Sequence, residues 1–487
     1  MLREKISTLW QKARERWSGL GGITRRGVLI FLLIFALAFT IRSLTAQFMR
    51  AHLHDAGWFQ YGSYAVFDEQ ARAVLDGRQR LFWIDDPTRT DLVQYPPAFP
   101  LWVAAVYIVT GEQSMYAVQR VQWVLDTLLI TLLITGIGVT AYGWRAGLAA
   151  SLLAAFSPLL AMYGATPSAD APTTWFVLGG AWLLLVAAKK RSLPYAIGAG
   201  VMLGAACWFR VNPLYLSGAW ALALLFFVRA DWRQRIALSA AVAGGALLVI
   251  SPIMIRNYLV FPEFTPTGGT IGVNLWEGLG ETELGRSYGF MFGDDKMIEK
   301  ERVALGLPPD FPIKIFWPDG IRRDRERVRE SMAFIKVRPL WYAGVMLERM
   351  WGMLKVAGSP LPYYGSAGIN VTSQKCLPTE RQGGVFALFV NLLGMAQSVV
   401  RYLFLPLAAL GLWLAARRDF RMTALLLATV LYYLVPGSAA HTEIRYVLPM
   451  HGLLTVFAGL GLCLLAETVF RFRQLGARKG KGLAAGG

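Results

Sequence analysis

Asp68 and Glu69 sit together in a polar stretch that follows the first hydrophobic span, and Tyr95-Pro96-Pro97 closes that stretch before the next apolar segment. A carboxylate held over a bilayer surface suits general-base chemistry, in which it takes the proton from a hydroxyl as the oxygen attacks an electrophilic carbon. The same pair is also read as the solvated face of a surface helix, since "YAVFDEQARAVLDG", from Tyr64 to Gly77, has an amphipathic pattern. Spacing alone favours the solvated face. Asp55, Asp76, Asp85, Asp86 and Asp91 share the segment, so local acidity does not single out Asp68.

Asp170, in "ATPSADAPTTW", is a second candidate. It has two readings of equal weight. One is a helix cap ahead of Pro172. The other is a carboxylate facing Asp68 across a shared cavity. A charge of this kind at mid-bilayer costs roughly 2.5–3.5 kcal/mol and needs a reason to be there. Arg210 in "CWFRVNP", Arg256 in "MIRNY" and Arg445 in "HTEIRYVLP" each stand at the end of an apolar run, with His441 and Glu443 beside the last. Arginines at such boundaries often act as snorkelling anchors. Three of them away from the cytoplasmic side run against the positive-inside bias, and binding a phosphate would account for them, because the guanidinium fork matches phosphate oxygens. Asp126 lies inside an apolar helix and is expected to pair with a polar neighbour. A divalent cation (Mg or Mn) shared by Asp68, Glu69 and Asp170 is compatible with the residue types, though these are few ligands. No phosphate-binding glycine loop, zinc motif, nucleotide fingerprint or serine triad order is present. Cys207, Cys376 and Cys463 form no metal spacing and read as packing residues. Asn370-Val371-Thr372 is a short glycosylation triplet of the kind that arises by chance.

These residues must be carried by a membrane scaffold. The 487 residues are 55% hydrophobic and only 16% charged, with mean hydropathy +0.43. Long apolar runs recur without strand-like alternation, which excludes a porin-type barrel. The net charge of +18 gathers in short tracts beside apolar runs, the positive-inside pattern, and does not signal nucleic acid. Lys189-Lys190-Arg191, Arg229 to Arg235, Arg417-Arg418 with Arg421, and Arg471 to Lys481 are placed in the cytoplasm, as is the basic N-terminus ahead of an uncleaved anchor. Spans are expected near 27–48, 119–141, 147–164, 172–188, 194–209, 213–228, 236–255, 422–436 and 446–467. Counting 384–416 as two spans and 339–357 as one gives twelve, with ten as the alternative. Phe99 to Thr110 is too short to cross and would invert every later segment. It is expected to lie in the interface or to re-enter on the outer side, where Trp58, Phe59, Tyr61, Tyr64, Phe67, Phe82, Trp83 and Trp102 suit the headgroup depth.

The expected organisation is a cytoplasmic N-terminus (1–26), an N-terminal transmembrane module (27–255) with a first outer loop (50–97), an extracytoplasmic cap (256–338), a C-terminal transmembrane module (339–470) and a basic tail (471–487). This is an all-α polytopic membrane protein, a bundle of about 10–13 transmembrane helices with juxtamembrane helices on the outer face.

"DEQARAVLDG", "QYPPAFPLW", "ATPSADAPTTWFVL", "RNYLVFPEFTP", "GVNLWEG" and "EIRYVLPM" follow one another in an order that resembles membrane glycosyltransferases of the GT-C class, in the branch of the protein O-mannosyltransferases and the aminoarabinose transferases of lipid A. The resemblance runs from the first span to the last. It implies a GT-C-like bundle, a polyprenyl-phosphate-linked sugar as donor and a lipid, glycan or protein acceptor. It further implies an active site on the outer face of a bacterial inner membrane. It matches Asp68 to the family's base, Glu69 to its companion acid and Asp170 to the second acid, with Arg445, Arg256 and Arg210 toward donor phosphate and Tyr95, Pro96, Pro97 and His441 in positioning roles. The aminoarabinose transferases carry a lysine before the paired prolines, where this chain has Gln94 and Tyr95. The long soluble domain of the O-mannosyltransferases has no counterpart here. The rival classes are a transporter or lipid flippase, which would call for charged or broken segments at mid-membrane and often an internal repeat, and a scaffold that binds through residues 256–338.

Overall fold

The basic tracts gather at one end of a helical bundle. There Arg145 meets Glu467 at 3.4 Å, Lys189 donates to the Thr140 carbonyl, Gln234 donates to the Arg191 carbonyl at 3.2 Å, and Asp419 caps the helix that begins at Phe420. The computed structural model describes residues 25–54, 61–78, 95–268, 271–354, 377 and 384–484. The sequence features at Asp55, Trp58, Phe59, Phe82, Trp83, Asp85, Asp86, Asp91, Gln94, Asn370 and Cys376, and the basic residues before Arg25, lie outside that range.

The described residues form helices, without a ladder of paired strands. Among the described residues seven helices are long and apolar enough to cross a membrane: Arg25–Ala51 (α1), Met115–Tyr142 (α4), Asp170–Lys190 (α7), Trp232–Val260 (α10), Val385–Arg418 (α16), Phe420–Ser438 (α17) and the stretch Ile444–Thr468, which is mostly helix α18 (Leu448–Ala484). Trp144–Ala155 (α5) and Pro158–Gly164 (α6) form a pair bent by 66° that, counted as one broken span, makes an eighth. Ser157 caps α6, and Pro158, with no N–H to donate, ends the preceding helix. Leu193–Phe209 (α8) and Leu216–Phe227 (α9) are shorter apolar helices. Both pack against α10.

The count of twelve is corrected on two points. Val385–Arg418 is one unbroken helix of 34 residues despite Pro406. The segment counted from 339 is a helix of 16 residues, Pro339–Leu354 (α15), which stays at the end opposite the basic tracts. Its Arg349 donates to the Ser438 and Gly278 carbonyls and to Glu281.

Helices α7 and α18 run through the middle of the bundle, and α1, α10 and α16 flank it. Close helix contacts rest on small residues. A side chain at Gly411 would overlap the Phe457 carbonyl, and one at Gly461 the Leu407 carbonyl, so α16 and α18 approach backbone to backbone. Gly200 against Val242 and Gly245 against Ile197 do the same for α8 and α10.

Two helices lie across the other end. Tyr61–Leu75 (α2) buries Tyr64, Phe67 and Ala71, a stripe at helical spacing, and leaves Glu69 exposed. That stripe packs on Ala98–Thr110 (α3). At 13 residues α3 is about 20 Å long, short of a ~30 Å hydrocarbon core. Tyr95 before it packs on Phe67, and Gln113 after it accepts from Arg72, so both its ends stay beside α2. The cap comprises Ile271–Gly280 (α11), Glu283–Ser287 (α12), Asp294–Ala304 (α13) and Gly320–Lys336 (α14) around Trp276, Phe290, Met297, Phe316 and Phe334. Asp324 accepts from the Gly272 and Val273 N–H groups, which satisfies the open donors at the start of α11 and ties it to α14.

Candidate functional site

A cavity of about 780 Å³ opens at this end, between the bundle and the cap. The short helix α6 and the loop after it bring Tyr163, Thr166 and Ser168 to one wall. Gln119 and Gln122 on α4 hold that loop by donating to the Ala165 and Thr166 carbonyls. The first turn of α7 contributes Asp170, and the loop after α8 contributes Arg210. Tyr432, Tyr433 and Pro436 line the side made by α17, and His441, Glu443, Arg445 and Tyr446 follow in the link to α18. Tyr64, Phe67, Tyr95 and Pro96 come from the helices lying across the end, and Asn274, Glu277, Phe292 and Asp294 from the cap.

Asp170 is the first residue of α7, after the N-cap Ala169, and among the described residues its carboxylate oxygens accept no cap bond, so the side chain does not act as a simple cap. Its carboxylate meets Arg210 at 2.8 Å, with the Asp170 side chain 1% exposed and that of Arg210 23% exposed. The Arg210 guanidinium lies 4.4 Å from the Tyr446 ring centroid, and Arg445 lies 5.2 Å from the same ring. One tyrosine thus holds two arginines beside each other. Arg445 donates to Glu443 at 2.7 Å. Burial alone would raise the Glu443 carboxyl, but Arg445 and His441 outweigh it and hold it down to about 2. His441 bonds Glu281 at 2.7 Å, and its backbone N–H donates to the Asn274 carbonyl, joining the link to the cap. Burial disfavours its charged form, yet the bonds to Glu281 and Glu443 win and keep it well above the usual histidine range.

The structure gathers Asp170, Arg210, Arg445, His441, Tyr95 and Pro96 around one cavity and leaves other predicted residues outside it. Asp68 does not line it. Its carboxylate accepts from the Tyr107 hydroxyl at 2.5 Å and from Arg72 at 3.1 Å, on the side of α2 that faces α3. Tyr107 in turn shares a hydrogen bond of 3.0 Å with Tyr64. The expectation that Asp68 and Asp170 face one pocket is therefore not met: the adjacent Phe67 and, one turn earlier on α2, Tyr64 occupy the cavity wall instead. Glu69 is exposed, and Pro97 stands at the N-cap of α3. Arg256 is buried in the last turns of α10, where it donates to Asn257 at 2.6 Å. Asn257 then donates to the Thr265 and Thr267 carbonyls, so the arginine braces the strap leading to the cap. Among the described residues no group of three His, Cys, Asp or Glu side chains is placed to hold a metal ion, and Asp68 and Glu69 do not join Asp170. These residues do not fit a shared cation.

Asp126 pairs as expected. Arg42 and the Trp175 indole N–H, the latter at 2.6 Å, both donate to it beneath the loop that carries Tyr163 and Thr166. The sequence alone did not single out Glu277, Tyr433 or Tyr446. Glu277 had a signal, being the one acid in the apolar run "GVNLWEG". The tyrosines had none beyond their place in or beside apolar segments.

A family model described as dolichyl-phosphate-mannose-protein mannosyltransferase matches residues 94–255. No curated protein matches the chain. Among solved structures the chain resembles the oligosaccharyltransferase AglB from Archaeoglobus fulgidus in complex with an inhibitory peptide and a dolichol-phosphate, with TM-score 0.52 and 13% identity over 93% of this chain and 51% of that one. The apo form of the Archaeoglobus fulgidus oligosaccharyltransferase gives TM-score 0.50 and 14% identity over 92% of this chain and 51% of that one. The chain spans about half the length of these proteins. The likeness to the GT-C class read in the sequence thus holds at the level of the fold, an all-helical polytopic membrane bundle.

Proposed function

We propose that the protein transfers a sugar from a polyprenyl phosphate to an acceptor hydroxyl in the cavity between bundle and cap. The observation that carries this is the convergence of Asp170, Arg210 and Arg445 on that one cavity. The family match over 94–255 and the likeness to an oligosaccharyltransferase in complex with dolichol-phosphate support it.

In this reading Arg210 and Arg445 bind the donor phosphate. The acceptor oxygen attacks the anomeric carbon from the face opposite the phosphate, so the configuration inverts. The new C–O bond forms as the bond to the phosphate oxygen breaks, and the electron pair leaves with polyprenyl phosphate, whose charge the two guanidinium groups stabilise. The acceptor proton passes to Asp170, whose carboxylate lines the cavity and, among the described residues, accepts no hydrogen bond beyond its ion pair. Asp68 acts at one remove, fixing α2 so that Tyr64 and Phe67 keep the wall in place. The apolar side lined by Phe209, Leu214, Tyr215, Tyr432 and Pro436 gives a prenyl chain its way in from the bilayer. By the positive-inside rule the basic end faces the cytoplasm, and the cavity lies on the outer face of the plasma membrane.

The test is transfer of labelled sugar from polyprenyl-linked donors by purified protein in lipid. Product formation that is lost in Asp170→Asn supports the reading. Transfer that survives intact in Asp170→Asn rejects the assignment, and absence of transfer and of polyprenyl-phosphate binding rejects the function.

A further inference from the structure

The transfer chemistry leaves Tyr446 without a part, although it lines the cavity beside two arginines. The Arg210 guanidinium lies over its ring at 4.4 Å from the centroid, and the Arg445 guanidinium at 5.2 Å. Arg210 arrives at the end of α8 and Arg445 in the turn that leads into α18, so no shared stretch of backbone sets their spacing. Two guanidinium groups this close to one ring repel each other. Each is offset by a carboxylate, Asp170 at 2.8 Å for Arg210 and Glu443 at 2.7 Å for Arg445. The Tyr446 ring touches both cations, and its negative face attracts each of them.

Tyr446 is itself held in place. Its backbone N–H donates to the Glu443 carbonyl at 2.9 Å, its hydroxyl donates to the Glu443 carboxylate at 3.4 Å, and the His441 ring stands edge-on to it at 6.5 Å. Glu443 precedes the short turn Ile444–Val447, which carries Arg445 and Tyr446. That one turn thus presents a cation, its counter-charge and the aromatic ring that seats it. The side chains of Arg210 and Arg445 keep 23% and 17% of their surface open, so a ligand in the cavity can reach them. A guanidinium offers its flat face to a ring and its edge N–H groups to oxygen. Contact with an aromatic face therefore leaves it able to bind phosphate.

We propose that Tyr446 is a positioning residue for the donor phosphate, its ring holding Arg210 and Arg445 at a spacing from which both reach one phosphate group. This rests on the transfer reading above. Tyr446 acts through the arginines and touches no reacting atom. Without the ring, like charge moves the two guanidinium groups apart, and binding then has to order them again at a cost in affinity. The active feature is the charge distribution of the ring face rather than the hydroxyl.

The experiment measures binding of bare polyprenyl phosphate, and of polyprenol with the same chain and no phosphate, to the full-length protein in lipid nanodiscs. The variants are Tyr446→Phe and the same replacement with phenylalanine bearing one, two or three ring fluorines. Fluorine nearly preserves the shape and drains negative charge from the ring face. The parent is expected to bind the phosphate lipid at least tenfold more tightly than polyprenol, and Tyr446→Phe to keep that advantage within twofold. Successive fluorines lower it in steps, by at least fivefold in all, while polyprenol binding, which reports an intact fold, is unchanged. An advantage that stays level along the fluorine series overturns the role of Tyr446. So does its outright loss in Tyr446→Phe, which would assign the effect to the hydroxyl, or a matching fall in polyprenol binding, which would assign it to the fold. A parent that binds the two lipids alike overturns the transfer reading and this role with it.

Discussion

The carboxylate of Asp170 lies 2.8 Å from Arg210 in a cavity that Asp68 does not line. The pair joins the first turn of α7 to the loop after α8, so one contact fixes both the proposed proton acceptor and a proposed phosphate ligand. Replacing Asp170 by Asn keeps the shape and removes the basicity. Transfer is expected to fall by about 10²–10⁴-fold, the usual worth of a positioned base, far more than the loss of roughly 1.5–3 kcal/mol of stability from the weakened pair with Arg210 would explain in protein that stays folded. Single-turnover assays with labelled donor read the first, and a melting curve the second.

Asp68→Asn is expected to behave differently. It weakens charge-assisted bonds from Tyr107 and Arg72 that lock α2 onto α3. The expected loss is about 1–2 kcal/mol of stability, with a fall in turnover well below that of Asp170→Asn. Tyr107→Phe, which removes the same bond from the other side, is expected to copy the effect. A loss of turnover in Asp68→Asn as deep as that in Asp170→Asn, with Tyr107→Phe fully active, would return the base to Asp68.

Asp68 shows how far the chain itself is legible. Its residue type and its place on a surface helix could be read, and the structure has that helix at Tyr61–Leu75. Its direction could have been read as well, since Arg72 follows at the i+4 position and the two pair on one face. Asp170, Arg210 and Arg445 stood out because charge at the end of an apolar run needs a cause. Glu277 and Asp294 did not, because they sit on separate cap helices that only tertiary packing around Trp276 and Phe290 brings together. Hydropathy likewise left 384–416 open between one span and two, since Pro406 marks a break as readily as a tolerated kink in a long helix.

The pair formed by Arg42 and Asp126 lies under the loop that carries Tyr163 and Thr166, with Trp175 as a second donor and side chains almost fully enclosed. Truncating one partner leaves the other charge buried without compensation. Asp126→Leu is therefore expected to cost about 3–5 kcal/mol, read as a large drop in the thermal midpoint. Replacing both partners with apolar residues of similar size, Arg42→Met with Asp126→Leu, is expected to recover most of that loss. A double variant as unstable as the single one would mean that the polar groups also hold the loop at Leu160, whose carbonyl Arg42 reaches at 3.4 Å.

Glu277 gives the chain a pH dependence of known sign. Its proton is held more tightly in the folded protein, where burial raises it from 4.5 to about 7. The folded state thus binds more protons than the unfolded chain between those values, and stability falls as pH rises through that window. Below about 4.5 the group is protonated in both states and the contribution is fully present. Above about 7 it is lost, a difference on the order of 3 kcal/mol if Glu277 titrated alone. Asp294 shifts in the same direction, and Glu443, held down to about 2, acts only in far more acid solution. Glu277→Gln removes the titrating group and is expected to flatten the fall in thermal midpoint between pH 5 and pH 7. A parent protein whose stability rises across that interval, with Glu277→Gln following the same slope, would show that Glu277 is ionised at neutral pH.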